Sequence, residues 1–292
     1  MSILYGRLID NGRQLPYAGR NEQTGTECGL WRKPPQKRDC TMPSIEKTAG
    51  IIIVGDEILS GRVVDINSPF LIGELSNRGV CVRYCLTVPD DRAIIADAVG
   101  TYSSRVNWLF TVGGIGPTHD DVTMEGIGKA FDVPVVVLPE LEEKIRSAYG
   151  ERFRPEHLKM ARVPDGTELV AVRKPQYPVA RFRNVFVLPG VPELLKVLFL
   201  SIEDLFRGER LPFRELVFAT EEGIIASILQ VAVARHPGVK IGSYPSFKER
   251  SSLVKLIVEH ESRAELDRTV DFLKDKIGGY IPETIRTKDW PK

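Results

Sequence analysis

The chain has 292 residues, 42% hydrophobic and 27% charged, enough for one large or two unequal cores. Forty basic residues against 39 acidic ones leave a formal charge of +1, without the clustered basic surplus of a general nucleic-acid binder. No apolar stretch approaches the ~18 residues of a membrane span, and Cys28, Cys40, Cys81 and Cys85 form no C-x-x-C pair. A transmembrane protein is excluded, a disulfide framework or zinc ribbon is disfavoured, and a reducing, cytoplasmic setting is the default expectation.

Residues 1–47 hold eight basic and five acidic residues and lack apolar periodicity. They read as a flexible extension: there is no apolar centre of a secretory signal, and Asp10, Glu22 and Glu27 spoil a mitochondrial transit pattern. Met42 offers a second start just before the folded-looking part. From Thr48 strands and helices alternate. The apolar run Ile51–Val54 predicts a strand buried on both faces. Ser68-Pro69 reads as a helix start with Leu71, Ile72 and Leu75 inward, ended by Gly79. Residues 80–88 predict a strand, 90–104 a helix with Ile94, Ile95 and Ala98 inward, and 108–112 a third strand stopped by Gly113-Gly114. Further elements are a helix over 123–131, a short run over 135–138, charged helices near 141–149 and 155–160, a strand over 185–188 and an apolar helix over 192–206. This is the order of a three-layer α/β/α doubly wound sheet, over residues 48–207.

After the break near Arg207–Leu211, a small β-α-β-β-α domain is predicted over 212–280, before a tail at 281–292. Its helix over 221–234 carries Ile224, Ile225, Ile228, Leu229 and Ala232 on one face, and Leu266, Val270 and Leu273 line the last helix. The segment Lys240–Arg250 reads as a solvated hairpin tip, and His157, His236 and His260 as surface residues.

Three strand-end loops carry the candidate chemistry. Gly113-Gly114-Ile115-Gly116-Pro117-Thr118-His119-Asp120-Asp121 lies between a strand and a helix, where glycines let backbone approach a ligand and a helix start favours phosphate. It is neither a Walker A nor a G-x-G-x-x-G loop; the plain alternative is a glycine turn capped by an acid. Gly55-Asp56-Glu57, with Asp65 and Asn67, follows another central strand, and ligands bind outside the carboxyl ends of such strands. Asp65 or Asn67 could equally organise the turn before Ser68-Pro69. Acids beside a phosphate cradle would repel the ligand unless a divalent cation lay between them. Leu188-Pro189-Gly190-Val191-Pro192-Glu193 reads first as an ordinary turn and helix start.

Together these loops resemble the molybdopterin-binding (MoaB/Mog-like) domain, in the form found in CinA-type proteins and the N-terminal region of eukaryotic FAD synthase. The resemblance runs from about Thr48 to Ile277 and includes Ile241-Gly242-Ser243-Tyr244-Pro245. It implies metal-dependent hydrolysis of FAD or an ADP-containing dinucleotide such as ADP-ribose, with Co²⁺ or Mg²⁺, and K⁺ as a further activator. It matches Asp65 and Asp121 to two acidic active-site positions, and Gly113, Gly114, Gly116 and Thr118 to the ligand cradle. Gly55, Asn67 and Gly190 complete the expected binding set. Asp121 with Asp56 or Asp65 is expected to hold the metal, while Glu57, Asp120 or His119 would orient or deprotonate water. A FAD-synthesising domain would follow the small domain, and a nicotinamide-nucleotide deamidase domain ends many CinA proteins. Neither is found in this chain, so FAD synthesis is not expected of it, and a stand-alone copy, isoform or fragment is. The rivals are a molybdopterin adenylyltransferase using the same pocket and a non-catalytic nucleotide-binding module. A homo-oligomer is expected, with no nucleic-acid or membrane partner.

Overall fold

The computed structural model describes residues 9–10, 13–14, 47–170, 177–248 and 251–281. The chain divides into two compact units, Met1–Ser44 and Ile45–Lys292. In the first, β1 (Ile9–Asp10) pairs antiparallel with β2 (Arg13–Gln14); the flexible extension expected there otherwise lies outside the described residues, as does most of the tail. Among the described residues no helix is long and apolar enough to cross a membrane.

The second unit begins with β3 (Thr48–Val54), buried almost throughout because both sheet faces are covered. A one-turn α1 (Asp56–Leu59) follows, then α2 (Asn67–Asn77), β4 (Cys81–Val88), α3 (Arg92–Ser103) and β5 (Trp108–Val112). After the glycine loop come α4 (Thr123–Ala130), β6 (Val135–Val137), α5 (Pro139–Tyr149), two 3₁₀ segments, β7 (Arg162–Pro164), β8 (Glu168–Val170), β9 (Val179–Phe182), β10 (Val185–Leu188) and α6 (Pro192–Ile202). Six strands form one mixed sheet in the order β4-β3-β5-β10-β9-β8. The first four run parallel, β9 pairs antiparallel with both β10 and β8, and β6 and β7 make a separate ribbon.

The sheet is doubly wound. On one face Leu71 and Leu75 of α2 join Leu195, Leu198 and Phe199 of α6, and the rings of Phe110, Phe186, Phe199 and Phe206 pack together. On the other, Ile95 and Val99 of α3, Ile127 of α4 and Leu141 and Ile145 of α5 share a core with Ile52 and Val54. The chain therefore leaves β3 one way to β4 and returns on the opposite face to β5. That reversal puts a topological switch point between β3 and β5, where such folds bind ligands.

Several local expectations are corrected. The helix expected from residue 90 begins at Arg92, capped by Asp91, whose carboxylate accepts the amides of Ile94 (3.0 Å) and Ala93 (2.7 Å), which holds the Asp91 carboxyl below its ordinary value. The α2 helix starts at Asn67, one residue before the expected Ser68 cap. Ile72 and Ile94 are exposed, because one step along a helix turns a side chain ~100° away from the stripe its neighbour occupies. The strands β7 to β9 were not anticipated. Between β9 and β10 the two-residue turn is Arg183-Asn184, with Arg183 at φ +54°, so the Asn-Gly signature of such hairpins is missing. The turn is held by Asn184, which donates to the carbonyls of Ser103 (2.8 Å) and Val106 (3.1 Å), and by the Arg183 guanidinium over the Phe131 ring.

The remaining segment forms β11 (Phe213–Phe218), α7 (Glu222–Arg235), β12 (Lys240–Lys248), β13 (Ser251–Glu259), α8 (Arg263–Lys276) and β14 (Tyr280–Ile281), with sheet order β12-β13-β11-β14. Leu266, Val270 and Leu273 are buried as predicted, as are Ile225 and Ala232. Ile224, however, is exposed, again one step off the stripe. The Lys240–Arg250 loop is replaced by a strand through Lys248, which tolerates Pro245 because β12 lies at the sheet edge. Arg250 lies outside the described residues. His236 is buried beside Glu265 and Phe272 rather than at the surface.

Candidate active site

At the switch point the strand ends converge. The Gly55 amide donates to Val88 at the end of β4 (3.1 Å), and the Gly113 amide to Leu188 at the end of β10 (3.0 Å). Gly113 sits at φ +98°, and a Cβ there would come within 3.0 Å of the Val54 carbonyl oxygen, so only glycine lets β3 and β5 close together. Buried Thr123 pins the loop from the helix side: its hydroxyl donates to Gly113 (2.8 Å) and its amide to Gly114 (3.0 Å).

Asp121 braces the loop tip. Its carboxylate accepts the Thr118 amide (2.8 Å) and the Thr118 hydroxyl, and lies so close to Gly116 that a Cβ would come within 2.6 Å of it. Lys159 reaches across from the 3₁₀ segment to donate to the Thr118 carbonyl. Among the described residues, no protein acceptor takes the amides of Gly114, Ile115 or Gly116. They are the loop donors left for an anion.

A cavity of about 670 Å³ opens beside this loop, within the ~300–1,000 Å³ typical of small-molecule sites. Of the expected site residues, Gly55, Glu57, Gly113, Gly114 and Gly116 line it, together with Asp120, Asp121 and Gly190. Asp56, Asp65, Asn67 and Thr118 do not. Thr118 spends its amide and hydroxyl on Asp121, so a direct ligand contact from it is corrected to a bracing role. Gly55 and Gly113 supply room rather than donors, since both amides are taken.

The Asp65 carboxylate accepts the amides of Asn67 (2.9 Å) and Ser68 (3.0 Å) and the Ser68 hydroxyl. It closes the first turn of α2, which is the turn-forming alternative weighed for it. Asn67 then donates to the Gly190 carbonyl (2.7 Å), tying this turn to the third loop. Asp65→Ala is therefore expected to cost about 1–2 kcal/mol of stability, as loss of a helix cap does. Activity per folded molecule should stay intact, and chemical denaturation paired with an activity titration checks both.

Sequence reasoning missed Asp90, two residues past β4, whose only signal was an acid at the end of a parallel strand. It lines the cavity with Glu57, Asp120 and Asp121 and accepts the Asp56 amide (2.9 Å). Burial pushes the Asp90 carboxyl above its ordinary value, the Asp56 amide opposes this, and the charges of Glu57, Asp56 and Asp120 add to the rise. By contrast the neighbouring Thr118, its own backbone amide, His119 and Lys159 hold the Asp120 carboxyl low. Because the folded state raises the Asp90 pKa, its contribution favours folding at pH below the ordinary 3.8 and is lost as pH rises through the folded value. Asp90→Asn should consequently gain stability relative to wild type as pH rises from 4 towards neutrality, read from denaturation midpoints at each pH.

The four carboxylates are hard oxygen donors in a negative field, and they suit a divalent cation of the Mg²⁺ or Co²⁺ kind. Among the described residues no three His, Cys, Asp or Glu side chains gather tightly enough to form a metal cage by themselves.

Comparison with known proteins gives matches over the same ground. Residues 50–207 match the family described as "Probable molybdopterin binding domain", and residues 210–283 match "FAD synthase, middle domain". A "Probable FAD synthase" of Caenorhabditis briggsae is 32% identical over 82% of the chain, which spans about half (51%) of that relative's length. A protein of Thermococcus kodakarensis is 33% identical over 78% of the chain and 96% of its own length. A crystal structure of a CinA protein "with unknown function" from Thermoplasma acidophilum aligns with TM-score 0.51 and 31% identity, covering 56% of this chain and 99% of that one.

Proposed function

The chain belongs to the molybdopterin-binding-domain family and carries a FAD synthase middle domain behind it, and on that premise we propose that it is a metal-dependent pyrophosphatase. Its substrate would be FAD or a related ADP-containing dinucleotide such as ADP-ribose. The observation that carries this reading is the meeting of three unsatisfied loop amides and four carboxylates on one cavity at the switch point.

Gly114, Ile115 and Gly116 would hold phosphate oxygens through their amides, in the loop that leads to α4. Glu57 and Asp121 would hold the divalent cation; Asp56, which does not reach the cavity, drops out of that role. The cation, when bound, offsets phosphate charge and makes a coordinated water more acidic. Asp90, which lines the cavity with Glu57 and Asp121, would accept a proton from the attacking water. Attack by the water oxygen forms one P–O bond and breaks one P–O bond of the bridge. The proton passes to Asp90, and FAD yields FMN and AMP.

The test incubates the chain with FAD and Co²⁺ or Mg²⁺, with and without K⁺, and resolves products. FMN and AMP in equal amounts support the reading. Adenylyl transfer from ATP to molybdopterin without FAD cleavage would replace it by the adenylyltransferase, and tight FAD retention without product by the binding module.

A further inference from the structure

The carboxylates and free amides make up only part of the cavity lining, and a pyrophosphate with its counter-ion would leave much of the 670 Å³ empty. Much of the remaining lining is apolar. Leu141, Ile145 and Ala148 of α5, Met160 and Ala180 form its wall, with Tyr149 and Tyr177 set among them. Both tyrosines are placed rather than loose. The Tyr149 ring stacks on His157 (3.9 Å between centroids, 22° between planes), and the His157 Nδ1 in turn accepts the Arg154 amide (2.9 Å). The Tyr149 hydroxyl donates to the Met160 sulfur (3.9 Å). Tyr177 packs against the same core, and among the described residues its hydroxyl has no protein partner. Burial and the neighbouring Tyr149 push the Tyr177 phenol up to about 12, so it remains a neutral donor across the physiological range. A neutral donor inside an apolar wall suits an uncharged ring acceptor and gives a phosphate nothing in charge.

We propose that this apolar wall is a ring subsite for a planar nitrogen heterocycle, isoalloxazine or purine. The Tyr177 hydroxyl donates to a ring nitrogen or carbonyl, and Tyr149 forms a side wall. This rests on the pyrophosphatase reading for which nucleotide carries the ring, but its test needs neither metal nor turnover. The full chain is titrated with riboflavin and with adenosine, which lack phosphate, and binding is followed by flavin fluorescence and calorimetry. One of them is expected to bind saturably, and the better one assigns the ring. Tyr177→Phe should weaken that binding about 3- to 10-fold, the range of one hydrogen bond, at an unchanged unfolding temperature. Tyr149→Leu should weaken it as well. No binding of either compound, or wild-type binding by Tyr177→Phe, overturns the subsite. If a ring compound binds and FAD stays intact, the hydrolysis reading falls and the subsite stands. If FAD is cleaved and Tyr177→Phe binds like wild type, the subsite falls alone.

Discussion

Gly113→Ala is expected to destabilise the fold by about 3–4 kcal/mol, through two independent costs. A φ of +98° is a backbone conformation that L side chains rarely adopt, which costs about 1–3 kcal/mol. The new Cβ would also fall within 3.0 Å of the Val54 carbonyl oxygen. That oxygen belongs to a central strand and cannot retreat as the end of a flexible side chain would. Relief would require β3 and β5 to part at the switch point, so the loss of stability should come with a distorted cavity. Gly100→Ala is the matched control: Gly100 is an exposed α3 residue, and a Cβ there meets nothing within 4 Å. It should be neutral or gain about 0.5–1 kcal/mol from reduced unfolded-state freedom. Urea midpoints for the two variants give the comparison, and a Gly113→Ala protein as stable as wild type would refute the close approach of the strands.

The second large effect concerns Asp121. If the chain hydrolyses FAD as proposed, Asp121→Ala is expected to lower the rate about 10²- to 10³-fold, the order seen when a preorganised electrostatic group is removed from an active site. Two things are lost together: a carboxylate at the cavity, and the brace that holds the Thr118 amide and hydroxyl. Asp121→Asn separates them, because an amide oxygen can still accept from Thr118 but carries no charge. If the charge serves a bound cation, Asp121→Asn should remain as inactive as Asp121→Ala while restoring its unfolding temperature. Activity recovered with the amide would reduce Asp121 to a loop brace and remove it from the cation site.

The two substitutions mark different depths of legibility. That Gly113 belongs to a loop between strand and helix was plain in the chain, since a buried apolar run stopped by two glycines can hardly mean anything else. That it touches Val54 depends on β3 and β5 being neighbours, a relation between segments more than fifty residues apart. The acids divide in the same way. Asp120 and Asp121 follow directly from the loop and line the cavity, but of the adjacent pair Asp56 and Glu57 only the second does. Asp65, chosen by resemblance, is turned into its own helix start, where two amides and a hydroxyl occupy it.

Alone, the sequence determined the alternation of strands and helices, the layered α/β class followed by a small α+β domain, and the three strand-end loops. Each of these follows from hydrophobic period and turn chemistry, properties of neighbouring residues that persist wherever the segment lies. Tertiary structure alone decided that Asp90 joins the cavity, that Asp56, Asp65 and Thr118 do not, and that Tyr149 and Tyr177 line it together. Strand order and the direction of each turn set which side chains converge, and both arise from packing between segments distant along the chain.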